Sequence, residues 1–229
     1  MTVATVAILG GTGPQGRGIG LRLARAGVRV TIGSRDGARA VDVAKEMVAS
    51  AGGDRPLAID GAGNAAAASS SEVVFVAVPW DAHQPTLAAL KGELEGRLVV
   101  DVVNPLRFDE HGPIGIAVTE GSAAQQAQAL LPGSTVVSGF HHVSAKTLLD
   151  ESHSLDEDIM ICGDDPEAKR TVMDLAELLP GARAIDAGPL RLSGLLEGMT
   201  AVLLAINKRY RTTTGIHLTD LDPSKVRPY

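Results

Sequence analysis

Three glycines near the start of the chain have the spacing of a phosphate-binding loop. The stretch ILGGTGPQGRG contains Gly11, Gly13 and Gly16 in a G-x-G-x-x-G pattern, directly after an apolar run. In this pattern the first glycine allows a tight turn, the second lets a pyrophosphate approach bare backbone, and the third lets a helix pack closely on a strand. The helix that follows offers unpaired N–H groups to phosphate oxygens. The predicted dinucleotide site consists of Gly11, Thr12, Gly13, Pro14, Gln15 and Gly16.

The residues after the second apolar run indicate which dinucleotide fits. In SRDGAR, Ser34 and Arg35 stand where NAD enzymes usually carry a carboxylate for the ribose 2′-hydroxyl, and Arg39 lies one helical turn further on. Cationic side chains suit a 2′-phosphate, because a charge-assisted hydrogen bond contributes on the order of 1.5–3 kcal/mol. Asp36 could serve the 2′-hydroxyl of NAD instead, but its spacing fits the N-cap of the next helix better. The pattern favours NADP(H).

Two further apolar runs end in residues that would contact a nicotinamide ring. In an open parallel sheet, ligands bind beyond the carboxyl ends of the strands. We expect Val78, Pro79 and Trp80, at the end of the run VVFVAV, to pack along the cofactor. Asn104, after the run LVVDVV, is expected near the nicotinamide. Trp80 could equally fill a contact between helix and sheet, and His83 is interpreted as a surface residue or as one behind the site.

The chain has one pair of adjacent histidines, His141 and His142. Neighbouring residues on a strand point to opposite faces, so the pair is poorly suited to hold one metal ion, and we predict no metal site. His141 could face the crevice and orient a second substrate through a hydrogen bond. Alternatively, the ring of His141 makes its hydrogen bonds within the core or to solvent and contacts no substrate.

No side chain is identified as a certain catalytic acid or base. The sequence has no Ser-Tyr-x-x-x-Lys relay, since its two tyrosines, Tyr210 and Tyr229, both lie near the carboxyl terminus. A nucleophile elbow is also missing. Hydride transfer between two cofactors fits this absence, because the cofactors carry the chemistry and the protein aligns their reacting carbons.

Apolar runs that alternate with helical patterns must position these residues. Runs rich in β-branched residues cover 6–10, 28–34, 73–78, 98–103 and 135–140. Such continuous runs predict strands that are covered on both faces. Their alternation with helical spacing predicts an α/β fold, a Rossmann-type, doubly wound and mostly parallel sheet. The stretch GAGNAAAASSS, residues 61–71, is interpreted as a loop that leads into the last turns of a helix.

The pattern changes after about residue 140. The later segments are DIMICGDD at 158–165, a helix over about 166–179, a short strand over 182–186 and a long apolar helix over about 190–208. We predict a dinucleotide-binding domain over residues 1–139 and a small C-terminal α/β lobe over residues 140–229, docked on it. Within the long helix, residues 195–206 contain Glu197 and are too few to span a bilayer. Apolar residues on more than one of its faces predict a contact between subunits.

Composition argues against several classes of partner. A net charge of −6 gives no electrostatic attraction to nucleic acid or to an anionic membrane. Cys162 is the only cysteine, so no intrachain disulfide can form, and a cytoplasmic protein is expected. The first residues have neither the basic region nor the cleavage site of a signal peptide. Small molecules are the expected partners.

Taken together, these motifs resemble the NADPH-dependent reductases of the deazaflavin coenzyme F420, the F420:NADP oxidoreductases. The matching stretches are ILGGTGPQGRGIGLRLARAG, IGSRD, AVPW, SGFHHVSA, CGDD and IDAGPLRLSGLLEGMT. The resemblance implies reversible hydride transfer between C4 of NADPH and C5 of coenzyme F420, the second substrate. It also implies a homodimer whose C-terminal domain helps to close the deazaflavin cleft.

The resemblance carries over to single positions. Four residues match the 2′-phosphate contacts of that family, namely Thr12, Ser34, Arg35 and Arg39. His141 and Val143 match residues near the deazaflavin ring, and Ala145 follows closely.

Two other functions stay open at this point. Reductases of imines or of 2-hydroxy and keto acids share the first half of the predicted fold. They usually continue into a long helical domain with a catalytic lysine or aspartate, for which this chain has too few residues after position 140. A redox sensor that holds NADPH without turnover also fits the missing acid and base.

Overall fold

The computed structural model describes residues 3–52 and 56–222. Its strands are Thr5–Leu9 (β1), Arg29–Ser34 (β2), Ile59–Gly63 (β3), Val73–Val76 (β4), Leu98–Asp101 (β5), Leu106–Asp109 (β6), Gly112–Gly115 (β7), Thr135–Ser138 (β8), Glu157–Gly163 (β9) and Ala182–Gly188 (β10). Its helices are Pro14–Arg25 (α1), Gly37–Ser50 (α2), Asn64–Ser69 (α3), Trp80–Ala89 (α4), Lys91–Leu94 (α5), Ala123–Leu130 (α6), Ala145–Leu149 (α7), Pro166–Glu177 (α8) and Ser193–Tyr210 (α9). A 3₁₀ turn over Leu190–Leu192 precedes α9.

Eight of the described strands form one sheet in the order β10-β9-β8-β5-β4-β1-β2-β3. Neighbouring strands run parallel except for the antiparallel pair β8 and β9. From β1 the chain builds outward to β2 and β3, and then returns to place β4 and β5 on the other side of β1. This reversal between β1 and β4 is the position at which doubly wound sheets bind ligands. The predicted Rossmann-type α/β fold is confirmed.

The two faces of the sheet are both covered by helices. On β1, Val6 and Ile8 belong to one apolar cluster, while Ala7 and Leu9 belong to the other. The first cluster receives side chains from α1, α2 and α8, and the second from α3, α4 and α6. Alternate residues of a strand point to opposite faces, so a strand buried on both sides must be apolar throughout. Burial on both faces of the sheet therefore explains why the apolar runs of the sequence are continuous.

The stretch 61–71 differs from its interpretation as a loop that enters a helix. Its first residues complete β3, which pairs with β2 at the edge of the sheet, and only the later ones form α3. The glycines of this strand hide it, because glycine is rare in strands. A Cβ at Gly61 would collide with the Ala40 carbonyl of α2, so a close helix requires glycine here.

Residues after 139 extend the same sheet. β9 and β10 add its last two strands, and Ile159 and Leu175 share an apolar cluster with Val137. The buried guanidinium of Arg22, on α1, donates hydrogen bonds to four carbonyls, those of Thr147, Leu148, Asp150 and His153. The division into domains 1–139 and 140–229 stays a prediction. The sheet and its apolar core contain residues from both segments.

The last long helix extends beyond residues 195–206 at both ends. Together with its 3₁₀ turn it covers Leu190–Tyr210, and an 18-residue window within it has a mean hydropathy of 1.3 and is 22% buried. Within the described residues, this is the one segment whose length and composition would allow a membrane span. The expectation that this helix is too short to span a bilayer was wrong. A hairpin of β6 and β7, which the sequence analysis did not predict, contacts α9.

Candidate functional site

The glycine loop joins β1 to α1 at the reversal of the sheet. A Cβ at Gly11 would lie 2.6 Å from Cβ of Ile32, and one at Gly16 would lie 2.7 Å from Cα of Gly11. Both glycines are therefore required by close packing of the loop. A Cβ at Gly13 would meet only the carbonyl oxygen of Gly10, at 3.4 Å. Gly13 is thus the position where the backbone is open to a ligand.

The amino end of α1 is uncapped. Its N-cap is Gly13, which has no side chain to accept a hydrogen bond, and Pro14 occupies the first helical position. The N–H groups of the first turn are available to an anion, as a dinucleotide loop requires. Arg17 Nε donates to the Thr12 carbonyl at 3.2 Å and fixes the loop.

Gln15 connects the glycine loop to the segment that follows β8. Its Nε2 donates to the carbonyls of Phe140, at 3.3 Å, and of Val143, at 3.2 Å. The structure therefore brings the predicted residues Gln15 and Val143 together. Val143 is buried in the first apolar cluster, and the half-buried Ala145 begins α7.

Ser34 and Arg35 line a cavity of about 730 Å³ at the end of β2. Asp36 is the N-cap of α2, and its Oδ1 accepts the N–H of Arg39 at 3.2 Å. Its interpretation as a cap is confirmed. Arg35 and Arg39 are exposed, and no carboxylate within the described part of the chain pairs with either guanidinium. Arg39 does not line the cavity, although it lies one helical turn from Arg35.

Asn64 lines the same cavity and was missed by the sequence analysis. It begins α3 directly after β3, and its Oδ1 is buried without a hydrogen-bond partner among residues 3–52 and 56–222. This oxygen lies 2.7 Å from the place where a Cβ at Gly33 would be. The signal that could have found Asn64 is a polar residue at the carboxyl end of a strand, but that strand was not predicted.

Val78 and Trp80 both contact the second apolar cluster, and Pro79 between them is exposed. Cγ1 of Val78 lies 2.9 Å from the place of a Cβ at Gly10, so this side chain touches the glycine loop. Trp80 begins α4, and its ring stacks on His83 with centroids 5.5 Å apart and an angle of 25° between the planes. The indole is therefore part of a helix-to-sheet contact at the edge where the cofactor is predicted.

The chain turns sharply after β8. Phe140 has a φ of 62°, in the left-handed region, and its buried ring meets Phe75 edge-on with centroids 5.6 Å apart. Non-glycine residues in this region cluster at functional sites. Beyond the turn, Nε2 of His142 donates to the Asp158 carbonyl at 2.6 Å, so His142 belongs to the C-terminal part of the sheet.

His141 lies beside Asn104. The Asn104 Nδ2 and the Thr200 hydroxyl both donate to the His141 carbonyl at 2.9 Å. The His141 side chain is only 2% exposed, and neither ring nitrogen has a hydrogen-bond partner within the described residues. Burial lowers the pKa of His141 to about 4, although Asp101 and the Val103 carbonyl act in the opposite direction. The ring is neutral at pH 7 and retains an N–H that could be donated.

A buried polar group lies behind Trp80 and Asn104. His83, expected at the surface or behind the site, is fully buried, and its Nε2 lies 2.7 Å from Oδ2 of Asp101. The surface alternative was wrong. Glu197 of α9 accepts the N–H groups of Ala123 and Ala124 and so caps α6. Burial raises the pKa of Glu197 to about 7. Tyr210 is exposed at the end of α9, and Tyr229 lies outside the described residues.

Comparison with known proteins identifies relatives along nearly the whole chain. Residues 5–105 match a family model described as NADP oxidoreductase, coenzyme F420-dependent. The F420-dependent NADP reductase of Methanocaldococcus jannaschii is 38% identical over 227 residues, which cover 95% of this chain and 99% of that protein. The reductase of the same name from Methanothermobacter thermautotrophicus is 36% identical over 224 residues, which cover 96% of each chain.

A solved structure has the same fold. The crystal structure of an F420-dependent NADP reductase candidate from Arthrobacter sp. FB24 superimposes with a TM-score of 0.80, at 26% identity, and the match covers 95% of this chain and 99% of that one. Identity above 30% over nearly the full length of a relative, together with this fold, settles the family. The chain belongs to the family of F420-dependent NADP reductases.

Proposed function

We propose that this protein is an NADP-dependent oxidoreductase that transfers a hydride reversibly between C4 of NADPH and C5 of coenzyme F420. The observation that carries this proposal is the uncapped glycine loop at the reversal of the sheet, in a chain that matches reductases of this name along their length. NADP(H) is the cofactor, and the deazaflavin is the second substrate.

The residues present fit an NADP dinucleotide. The open backbone at Gly13 and the free N–H groups of α1 suit a pyrophosphate. Ser34, Arg35 and Arg39 would hold the 2′-phosphate, since both guanidinium groups are exposed and unpaired within the described chain. Thr12 adds a loop hydroxyl at the same end. Asn64 offers an unpaired oxygen in the adjoining cavity.

The other end of the site aligns two rings. Val78 and Trp80 would border the nicotinamide together with Asn104, and Pro79 would pack along the cofactor from the cavity that Ser34 and Arg35 also line. His141 is neutral, and neither ring nitrogen has a hydrogen-bond partner of good geometry within the described residues, so it would orient the deazaflavin by donating an N–H, with Val143 and Ala145 nearby. The two coenzymes supply the chemistry of hydride transfer when bound. The protein's own contribution is alignment and the exclusion of water.

The exposed face of α9 would bind a second copy of the chain. Apolar residues recur along it at helical spacing, namely Leu195, Met199, Val202, Ile206 and Tyr210. Leu195 is 71% exposed and Tyr210 is 72% exposed, and contiguous apolar surface of this kind marks interaction sites. Thr200 ties α9 to the turn after β8, and Glu197 ties it to the start of α6, which favours a homodimer contact over a membrane span.

The remaining assignments follow from the same features. Residues 1–139 would form the dinucleotide-binding domain, and residues 140–229 would complete the deazaflavin cleft and the dimer contact. A net charge of −6 argues against nucleic acid and anionic membranes as partners, and the single, buried cysteine fits the cytoplasm.

One experiment tests the proposed reaction. Oxidised coenzyme F420 is mixed with NADPH and the protein, and its visible absorbance is followed. Bleaching that depends on the protein is the expected result. An unchanged spectrum with NADPH still bound would favour the redox sensor, and turnover of imines or of 2-hydroxy or keto acids alone would favour the other reductases.

A further inference from the structure

His83 is a histidine without solvent contact whose two ring nitrogens are both bonded. Nε2 lies 2.7 Å from the Asp101 carboxylate, and Nδ1 lies 3.1 Å from Oε1 of Gln126. The amide of Gln126 is oriented by its other contact, because its Nε2 donates to the Glu120 carboxylate at 3.3 Å. Its Oε1 therefore faces His83 as an acceptor. Two acceptors require two N–H donors, so the contacts specify an imidazolium.

The charged ring lies against the only tryptophan of the chain. Trp80 and His83 are three residues apart on α4, and their rings stack at 5.5 Å with an angle of 25°. A cation over an indole face is attracted by the ring quadrupole, and the attraction increases when water is excluded. The orientation of Trp80 therefore depends on the charge of His83.

Asp101 connects this arrangement to the turn after β5. Its Oδ2 bonds His83, and its Oδ1 accepts the N–H of Val103 at 3.0 Å. That bond shapes the turn from β5 to Asn104, which in turn holds the His141 carbonyl. One buried ion pair thus touches both segments that border the predicted nicotinamide end, the start of α4 and the turn after β5.

We propose that His83 is a positioning residue whose imidazolium, held by Asp101, aligns Trp80 with the turn that leads to Asn104, and that this alignment weakens when His83 loses its proton. The proposal rests on the proposed function, because the cleft between these segments is taken as the nicotinamide end. His83 itself makes no contact with substrate.

The groups around His83 agree with a positive charge. Burial alone lowers the pKa of His83, but the charge of Asp101 and the hydrogen bonds to Asp101 and Gln126 outweigh it, so the pKa lies above its ordinary value. Asp101 approaches from β5, Gln126 from α6 and Glu197 from α9, while Glu120, in the turn before α6, lies behind Gln126. Each of these charged neighbours is a carboxyl group.

The emission of Trp80 reports this stack directly. The apo protein is titrated with pH and excited where tyrosine does not absorb. We expect quenched emission at low pH, which rises in one step with a midpoint above the ordinary pKa of histidine. Asp101→Asn keeps hydrogen-bonding atoms but removes the charge, so its midpoint should be lower. A flat wild-type curve, or an unchanged midpoint in Asp101→Asn, would overturn the proposal.

Two substitutions assign the step. His83→Gln should abolish it in protein that keeps its circular dichroism spectrum. The matched control is His111→Gln, because the His111 side chain is 86% exposed and its ion-pair partner in the described part of the chain is its neighbour Glu110. The control should retain the wild-type step. A step that persists in His83→Gln, or that disappears in the control, contradicts the assignment to His83.

Ligand binding distinguishes a loss of alignment at the nicotinamide end from a general loss of structure in His83→Gln. Adenosine 2′,5′-bisphosphate carries the adenosine half of NADP without the nicotinamide. In His83→Gln we expect the Kd of NADPH to rise about tenfold while that of the bisphosphate stays unchanged. Equal losses for both ligands would overturn the positioning role. If neither ligand binds the wild-type protein, the proposed function fails, whereas the fluorescence titration still decides whether the stack exists.

Discussion

The two ends of the predicted cofactor site are built differently. The adenosine end consists of Ser34, Arg35, Arg39 and Asn64. The nicotinamide end consists of His83, Asp101, Asn104, His141 and Glu197. At the adenosine end the cations are exposed and unpaired within the described chain. At the nicotinamide end the charges are buried and bonded to each other or to backbone N–H groups.

This difference separates affinity from alignment. Exposed cations can gain a charged ligand at little cost, because they give up few protein contacts to do so. Buried and paired groups are expensive to disturb, and they fix the segments on which they lie. Substitutions at the adenosine end should therefore change affinity for the 2′-phosphate, whereas substitutions at the nicotinamide end should change stability, turnover and the binding of the ring ends of the coenzymes.

The largest effect is expected from removing both cations of the adenosine end. In Arg35→Ala combined with Arg39→Ala, the Kd of NADPH should rise about a hundredfold or more, since each charge-assisted bond contributes roughly ten- to a hundredfold. The Kd of NADH should hardly change. Calorimetric titration with both nucleotides measures this. Arg170→Ala, an exposed arginine of α8, is the control and should bind both nucleotides normally. Equal losses for NADPH and NADH would refute the 2′-phosphate assignment.

The buried end should make folding depend on pH. Burial raises the pKa of Glu197 from 4.5 to about 7, so its contribution to stability is complete below its unfolded pKa and is lost as the pH rises through about 7. The pKa of His83 is also raised, so its contribution has the same sign. The contribution of Glu197 alone should lower the free energy of unfolding by on the order of 3 kcal/mol between about pH 5 and about pH 8. His141, whose pKa is lowered to about 4, acts with the opposite sign below about pH 6.5, so the net fall should be clearest above that pH.

Two glutamine variants assign this pH dependence. The free energy of unfolding is measured by urea unfolding at a series of pH values. In Glu197→Gln it should depend less steeply on pH than in the wild type. Glu157 is a matched control, because burial also raises its pKa to about 7 but it lies at the start of β9, away from the nicotinamide end. Glu157→Gln should remove the part of the pH dependence that Glu157 causes and leave the part that Glu197 causes. A Glu197→Gln curve that falls above about pH 6.5 as steeply as the wild-type curve would contradict the assignment to Glu197.

A smaller effect is expected at His141. His141→Leu keeps an apolar volume but removes the ring N–H. The KM for coenzyme F420 should rise about tenfold, the upper range for one hydrogen bond, while the Kd of NADPH stays the same. Steady-state kinetics with each coenzyme varied in turn measures both. If NADPH binding is lost to the same extent, His141 supports the fold and not the second substrate.

Sequence could predict the adenosine end because its residues are local. Gly11, Gly13 and Gly16 are close in the chain, Ser34 ends β2, and Arg35 follows it directly. Alternating apolar runs also sufficed for the doubly wound sheet. Asn64 was missed because the glycines of β3 hide the strand that carries it.

The nicotinamide end could be predicted only in part. Asn104 and His141 were found from strand ends, but their partners come from distant positions. His83 meets Asp101 and Gln126, which are 18 and 43 residues away, and Glu197 caps a helix that begins 74 residues before it. Such contacts depend on which strands become neighbours, and no local spacing encodes that.

The smallest expected effect is the response to salt, which tests whether the adenosine end is exposed as described. Screening weakens charge pairs that face solvent and affects buried pairs much less. A rise from low to physiological ionic strength should therefore raise the Kd of NADPH a few-fold, leave that of NADH unchanged, and leave the Trp80 titration midpoint in place. Titrations at two salt concentrations measure all three. A midpoint that moves with salt as strongly as the NADPH affinity does would show that the His83 pair is open to solvent, and the contrast between the two ends would then disappear.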